Sequence, residues 1–324
     1  MNKNILSIGN ALTDMLCVLD TDELINKIGV ERGSMHVINA EQLGKIKDLI
    51  KGREVKMVRG GSAPNVLGGI AKLGSGTAFI GKIGKDSVGE FFANDLMVRG
   101  IKSEMIISSN EPSGTCIALI SPDGERTFLT CLGAAASLEA KDLNEKMFEG
   151  FDICHVDGYL LQNYDLIESA LYLAKKSGSL VSLDLASFNV VKDNLEFLKK
   201  ITHDYVDILF ANEEESKAFS GMEPEQAIEQ MANMVDYAVV KLGGKGAMAK
   251  HDGILERFEP MKNIKCIDTT GAGDLFAGGF LYALANGKSL ADCGRIGTLL
   301  SGNVIQVVGT KMADETWASI RSQI

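Results

Sequence analysis

Several signatures that would assign a chemistry at once are missing from this 324-residue chain. No Gly-x-x-x-x-Gly-Lys-Ser/Thr loop occurs, which excludes the P-loop way of holding a nucleotide. A full Gly-x-Gly-x-x-Gly fingerprint is lacking too, because after Gly271 and Gly273 the third position is Phe276. The stretch 60–64 fails the Gly-x-Ser-x-Gly pattern of a hydrolase nucleophile. His36, His155, His203 and His251 have no metal-ligand spacing. Cys17, Cys116, Cys131, Cys154, Cys266 and Cys293 form no Cys-x-x-Cys pair, so buried reduced thiols in a cytoplasm are expected. Positive charge is scarce: 33 Lys and Arg against 43 Asp and Glu leave a net charge of −10, which argues against nucleic acid as a partner. Long apolar runs are absent as well. The longest, 275–285, is too short to span a bilayer, and Asn10 and Asp14 interrupt any signal-peptide core, so no membrane partner is expected.

What is present is an α/β rhythm with enough apolar residues (45%) for one large core or two smaller ones. Residues 4–9 read as a buried first strand, and strand-like runs recur at 77–81, 152–156, 180–184, 206–210 and 237–242. Amphipathic helices fall near 40–51, 164–177, 189–201, 224–234 and 289–306. Strands alternating with helices at this spacing mean a doubly wound, mostly parallel sheet flanked by helices. Two runs, 115–121 and 126–132, break the rhythm. Pro122-Asp123-Gly124-Glu125 joins them as a hairpin. With strands at 16–19 and 35–38 they predict a small β-sheet lid, built from about 15–38 and 113–133, inserted in one domain spanning 1–324.

The rest of the chain is organised around Asp268-Thr269-Thr270-Gly271-Ala272-Gly273-Asp274, which opens a long apolar helix. Glycines let bare N–H groups approach a ligand, and the helix start favours an anion there. Asp274 then sits in the first turn, where its carboxylate would repel a phosphate unless its task is to accept a proton. An ordinary capped helix start is the plainer reading of the same string. Gly60-Gly61-Ser62-Ala63-Pro64-Asn65 is a second glycine turn feeding a helix. Asn10 and Asp14, just past the first strand, suit vicinal hydroxyls of a sugar or serve as a polar turn. Glu213, Glu214 and Glu215 suit a helix start whatever else they do.

Asp-Thr-Thr-Gly-Ala-Gly-Asp ahead of an apolar helix, preceded in the chain by Gly60-Gly61-x-x-x-Asn65, resembles the two signatures of the ribokinase-like (PfkB) family of carbohydrate and nucleoside kinases. The resemblance runs over essentially the whole chain. It implies that Asp274 is the catalytic base, that Gly271, Ala272 and Gly273 supply the anion hole, and that Gly60, Gly61 and Asn65 line the substrate pocket. Gly9-Asn10 and Asp14 resemble the substrate-hydroxyl site of adenosine kinases, and Arg126 the lid arginine that meets the transferred phosphate. A solvated arginine is the alternative at 126.

Asn212 and Glu215 match the family's Asn-x-x-Glu motif, which orders Mg²⁺ through water. Lys241, Gly243 and Gly246 match its nucleotide turn, although Lys241 stands where ribokinases often carry Thr and some sugar-acid kinases carry Lys. A surface lysine at a strand end is the other reading of Lys241. Asn303 is a candidate adenine-side residue, and Val307–Thr310 a turn beside the adenine. Asp268 and Thr270 are candidate K⁺ contacts.

The implied activity is transfer of the γ-phosphate of ATP, with Mg²⁺ and with K⁺ as an optional ion, to a primary hydroxyl of a sugar or nucleoside. A keto-deoxy sugar acid or fructose kinase is the alternative, favoured by Lys241. Leu160, where adenosine kinases often place a second aromatic, counts against base stacking. From a different class, a non-catalytic nucleotide- or sugar-binding relative is the rival. The chain is expected to be a monomer or a homodimer paired through its lids.

Overall fold

The computed structural model describes residues 3–324. Its strands are β1 (Asn4–Ile8), β2 (Leu12–Val18), β3 (Met35–Val37), β4 (Val55–Arg59), β5 (Gly76–Gly84), β6 (Ile101–Ser108), β7 (Gly114–Ile120), β8 (Arg126–Cys131), β9 (Ile153–Asp157), β10 (Leu180–Asp184), β11 (Ile208–Asn212), β12 (Tyr237–Lys241), β13 (Ala247–His251) and β14 (Ile254–Phe258). Nine of them form one sheet in the order β14-β13-β12-β11-β10-β9-β1-β5-β6, and five form a smaller sheet in the order β3-β8-β7-β2-β4. The large sheet is parallel except for β13 and β14, which fold back as antiparallel edge strands.

Strands such as Ile208-Leu209-Phe210-Ala211 are buried on both faces, as a parallel sheet covered by helices requires. Alternate side chains divide the interior. Ile5, Phe79, Ile153, Phe210 and Val239 pack on one side under the Ser62–Lys72, Ala272–Ala285 and Leu290–Val304 helices. Leu6, Ile8, Val156, Leu183 and Val240 pack on the other under the Tyr164–Lys176 and Pro224–Ala232 helices. Five parallel strands therefore end at one edge, where Gly9, Asp157, Asp184, Asn212 and Lys241 emerge side by side. Ligands of open α/β sheets bind at this edge.

β2 follows β1 after only residues 9–11, so the small sheet springs directly from that edge. Its inner face packs Cys17, Ile117, Leu119 and Leu129 against Leu43 and Ile46 of the Ala40–Leu49 helix. The small sheet is drawn from 12–59 and 114–131. It starts earlier than the expected 15–38 segment and takes in β4, whose Val-Lys-Met-Val-Arg string carries too weak an alternation to be read as a strand. β6, β13 and β14 were also not anticipated. β13 and β14 are short and half-polar, and sheet pairing rather than apolar content makes them strands. The expected 189–201 helix is two, Phe188–Asp193 and Leu195–Tyr205, separated at Asn194. Among the described residues no helix is long and apolar enough to cross a membrane.

Candidate active site

The Ala272–Ala285 helix begins at Gly271, whose φ is +74°. A Cβ there would stand 2.3 Å from Thr310 Cγ2, so only glycine serves. The N–H groups of Gly271 and Gly273 have no acceptor among the described residues, while that of Ala272 donates to Thr269 O at 3.1 Å. The turn thus offers two free amides of the three expected, because Ala272 spends its own on closing the turn. Asp274 follows. Its carboxylate accepts from Ser62 Oγ (2.7 Å) and Asn65 Nδ2 (2.9 Å), both in the first turn of the Ser62–Lys72 helix. Two helix N-termini therefore converge on one carboxylate, and their dipoles favour negative charge there. Burial pushes the Asp274 carboxyl above its usual range, against the pull of the Asn65 and Ser62 hydrogen bonds.

Asp14 faces the same cleft from β2. Its carboxylate lies on Gly60, where a Cβ would be 2.4 Å from Oδ1, so the glycine makes the room. Burial lifts Asp14 to about 6, opposed by the charges of Arg59 and Arg126. Gly61 abuts Asn10 O in the same way, and Asn10 itself is buried behind the cleft, accepting from Gln162 Nε2 at 3.3 Å. Asp14, Gly60, Gly61, Asn65, Gly271, Gly273 and Asp274 line one cavity of about 460 Å³.

Asn212 and Glu215 line its far wall as a capping box. Glu215 accepts from Asn212 N (2.7 Å) and Asn212 Nδ2 (2.6 Å), and burial lifts it to about 7. Each carboxylate oxygen already accepts one hydrogen bond and Glu215 is almost fully buried, which fits a hydrated Mg²⁺ reached through water better than a directly ligated ion. Among the described residues no group of three or more His, Cys, Asp or Glu could hold a metal by itself. Lys241, at the end of β12, is paired with Asp184 Oδ2 at 2.7 Å. Beyond it opens a mostly apolar cavity of about 410 Å³ lined by Gly243, Gly246, Met261, Phe276, Gly302 and Ile305. Asn303 is outside that lining; its amide donates to Leu299 O.

Arg126 reaches from β8 to Asp268, Nη1 to Oδ2 at 3.2 Å. Asp268 also accepts from Gly309 N (2.7 Å), Thr270 N (3.1 Å) and Thr270 Oγ1 (2.7 Å). Burial opposes it, yet these bonds and the Arg126 charge hold Asp268 below the ordinary carboxylate range. Of the two candidate K⁺ contacts, Asp268 is thus engaged with protein donors, while the Thr270 hydroxyl is itself one of those donors. The turn after Val307 also touches the polar cleft, where Thr310 Oγ1 donates to Asn65 Oδ1 at 3.3 Å.

Three residues of this constellation were not picked out from the sequence. Ser62 holds Asp274, and the cap position ahead of Asn65 was its signal. Asp184 holds Lys241, and an acid closing an apolar strand was the hint. Tyr159 is the third. Leu160 is fully buried in the core, whereas its neighbour Tyr159 is 41% exposed and lines the cleft, so an aromatic does reach the cleft, one residue before the position held by Leu160.

A family model described as pfkB family carbohydrate kinase matches residues 33–317. Adenosine kinase 2 of Arabidopsis thaliana is 26% identical over 332 residues, covering 94% of this chain and 94% of that protein. A ribokinase of Haemophilus influenzae is 29% identical over 276 residues, covering 81% of this chain and 86% of that one. Among solved structures, the adenosine kinase from Sinorhizobium meliloti superposes with a TM-score of 0.87 at 28% identity, covering 100% of both chains.

Proposed function

The chain belongs to the pfkB family of carbohydrate kinases, phosphotransferases that act on a hydroxyl group, and from that premise we propose that it phosphorylates the primary hydroxyl of a nucleoside. The observation that carries the proposal is Asp274, held by Ser62 and Asn65 at two converging helix starts and open to a cleft that also contains Asp14 and Tyr159. Asp14 accepts from vicinal hydroxyls of the sugar, and the Tyr159 ring offers a face for a base. Asn10, Gly60, Gly61 and Asn65 shape the acceptor side.

ATP lies with its base in the apolar cavity and its phosphates over Gly243, Lys241 and the Gly271–Gly273 turn. Asp274 takes the proton of the hydroxyl as its oxygen bonds to the γ-phosphorus and the bond to the ADP oxygen breaks. The amides of Gly271 and Gly273 stabilise charge on the transferred group. A carboxylate is a weak base, but a loose transition state releases its proton late and asks little basicity. Mg²⁺, reached through water from Asn212 and Glu215, would neutralise phosphate charge. The small sheet acts as a lid that excludes water, and Arg126 leaves Asp268 for the phosphate as the lid shuts. While the lid is open, K⁺ would have to displace Arg126 from Asp268, so stimulation by K⁺ is expected to set in at lower K⁺ concentration in Arg126→Ala than in the wild type.

An ADP-release screen over nucleosides, ribose, fructose and keto-deoxy sugar acids tests the reading. Turnover highest on a nucleoside, with phosphate on its primary hydroxyl, is expected. Preference for a free sugar or sugar acid would reassign the acceptor. Binding without turnover on any hydroxyl would make the chain a non-catalytic relative.

A further inference from the structure

Among the described residues Lys241 is the only Lys or Arg that lines either cavity, and it lines both. A phosphate chain running from the apolar pocket to Asp274 has to pass it. A Cβ built on Gly273 would stand 3.3 Å from Lys241 Nζ, so the ammonium rests against the turn with the free amides. Its partner Asp184 closes β10, two strands away, and the two side chains are 15% and 9% exposed. Asp184 is clamped in turn: Oδ1 accepts from Ala186 N at 3.1 Å, and Ala186 adopts a φ of +69°, a strained value for a residue with a Cβ. Burial lowers the affinity of Lys241 for its proton, but Asp184 and Glu215 outweigh that and keep it charged.

A buried ion pair returns little stability after desolvation, and a lysine stem is too flexible to hold its ammonium in one place unaided. The pair makes sense as pre-organisation. We propose that Asp184 is a positioning residue, which aims the Lys241 ammonium at the phosphate chain of the donor where the two cavities meet. This rests on the kinase reading above. Lys241 then touches the donor, whereas Asp184 acts only through Lys241.

The test compares wild type with Lys241→Met, Asp184→Asn and the double variant, measuring kcat and KM for ATP and for the acceptor together with thermal midpoints. Lys241→Met should lower kcat/KM for ATP by about 100-fold or more, the scale of losing one donor to a transition-state anion. Asp184→Asn, isosteric and still able to accept from Ala186, should lower it by about tenfold or more. The double variant should match Lys241→Met within about threefold, because a residue acting through another adds nothing once that other is gone. The acceptor KM should stay within about threefold of wild type in all three. Losses that multiply in the double variant would mean that Asp184 acts on its own. A lowered thermal midpoint in Asp184→Asn with unchanged ATP kinetics would make the pair structural. Either result overturns the proposal while the kinase reading stands; a wild type that phosphorylates no hydroxyl removes both.

Discussion

Replacing Asp274 by Asn separates folding from chemistry, and the hydrogen bonds around it set the expected sizes. Asp274 Oδ2 accepts from Asn65 Nδ2, while Oδ1 accepts from Ser62 Oγ. The asparagine side chain of the Asp274→Asn variant can turn its oxygen toward Asn65 and its NH₂ toward Ser62. The Ser62 hydroxyl rotates from donor to acceptor at little cost. Asn65 need not flip, so its contact with Thr310 survives. No buried partner is left unsatisfied, and the substitution removes a charge that burial disfavours. A carboxyl whose folded pKa is raised contributes stability while protonated and loses it as the pH climbs through that pKa, so at neutral pH the carboxylate is a liability to the fold. The variant should unfold at the same temperature as wild type or higher, a stability gain at the cost of function. Losing the general base should lower kcat by about 10²–10⁴-fold, with ATP affinity little changed. Scanning fluorimetry, ATP titration and the ADP-release assay read the three quantities. A variant that keeps kcat within tenfold of wild type, or that melts several degrees lower with normal kcat, would refute the assignment.

Three further expectations follow from the same geometry. Burial lifts Asp157 to about 7 from the ordinary 3.8, so its contribution to stability is present at about pH 4 and lost by about pH 8; the thermal midpoint of Asp157→Asn should gain on wild type as the pH rises across that window, and a gap that narrows instead would contradict the sign. Gly271→Ala puts a methyl 2.3 Å from Thr310 Cγ2 at a φ of +74°; urea unfolding should register a loss of about 1–3 kcal/mol, and turnover should fall as the amide turn shifts. On the proposed reading the apolar pocket reads a base by shape, and the unpartnered hydroxyl of Thr298, which both donates and accepts, is one buried polar group of its lining. Sites of that kind discriminate by about 10–200-fold, so GTP and ITP should serve with kcat/KM within about 200-fold of ATP, and a preference of 10⁴-fold would mean that backbone groups read the base.

The doubly wound sheet, its helices and both glycine turns were legible in the chain, because each rests on local information: apolar runs, helix periodicity, and glycines ahead of helix starts. Asp274, Gly271 and Gly60 could be named for the same reason. Side-chain partnerships were not legible, since they join residues far apart in the chain. Arg126 is paired with Asp268 because the fold sets the start of β8 against the loop ahead of the Ala272–Ala285 helix, and Lys241 with Asp184 because β12 and β10 end at one edge. Tyr159 faces the cleft and Leu160 the core because the short turn after β9 rotates one side chain outward and the next inward, a direction that composition does not encode. The sequence by itself determined which residue types could handle a phosphate and a proton. Only the tertiary structure decided which of them meet, since the parallel strand order brings the ends of β1, β9, β10, β11 and β12 together and leaves the carboxylates to find their cations there.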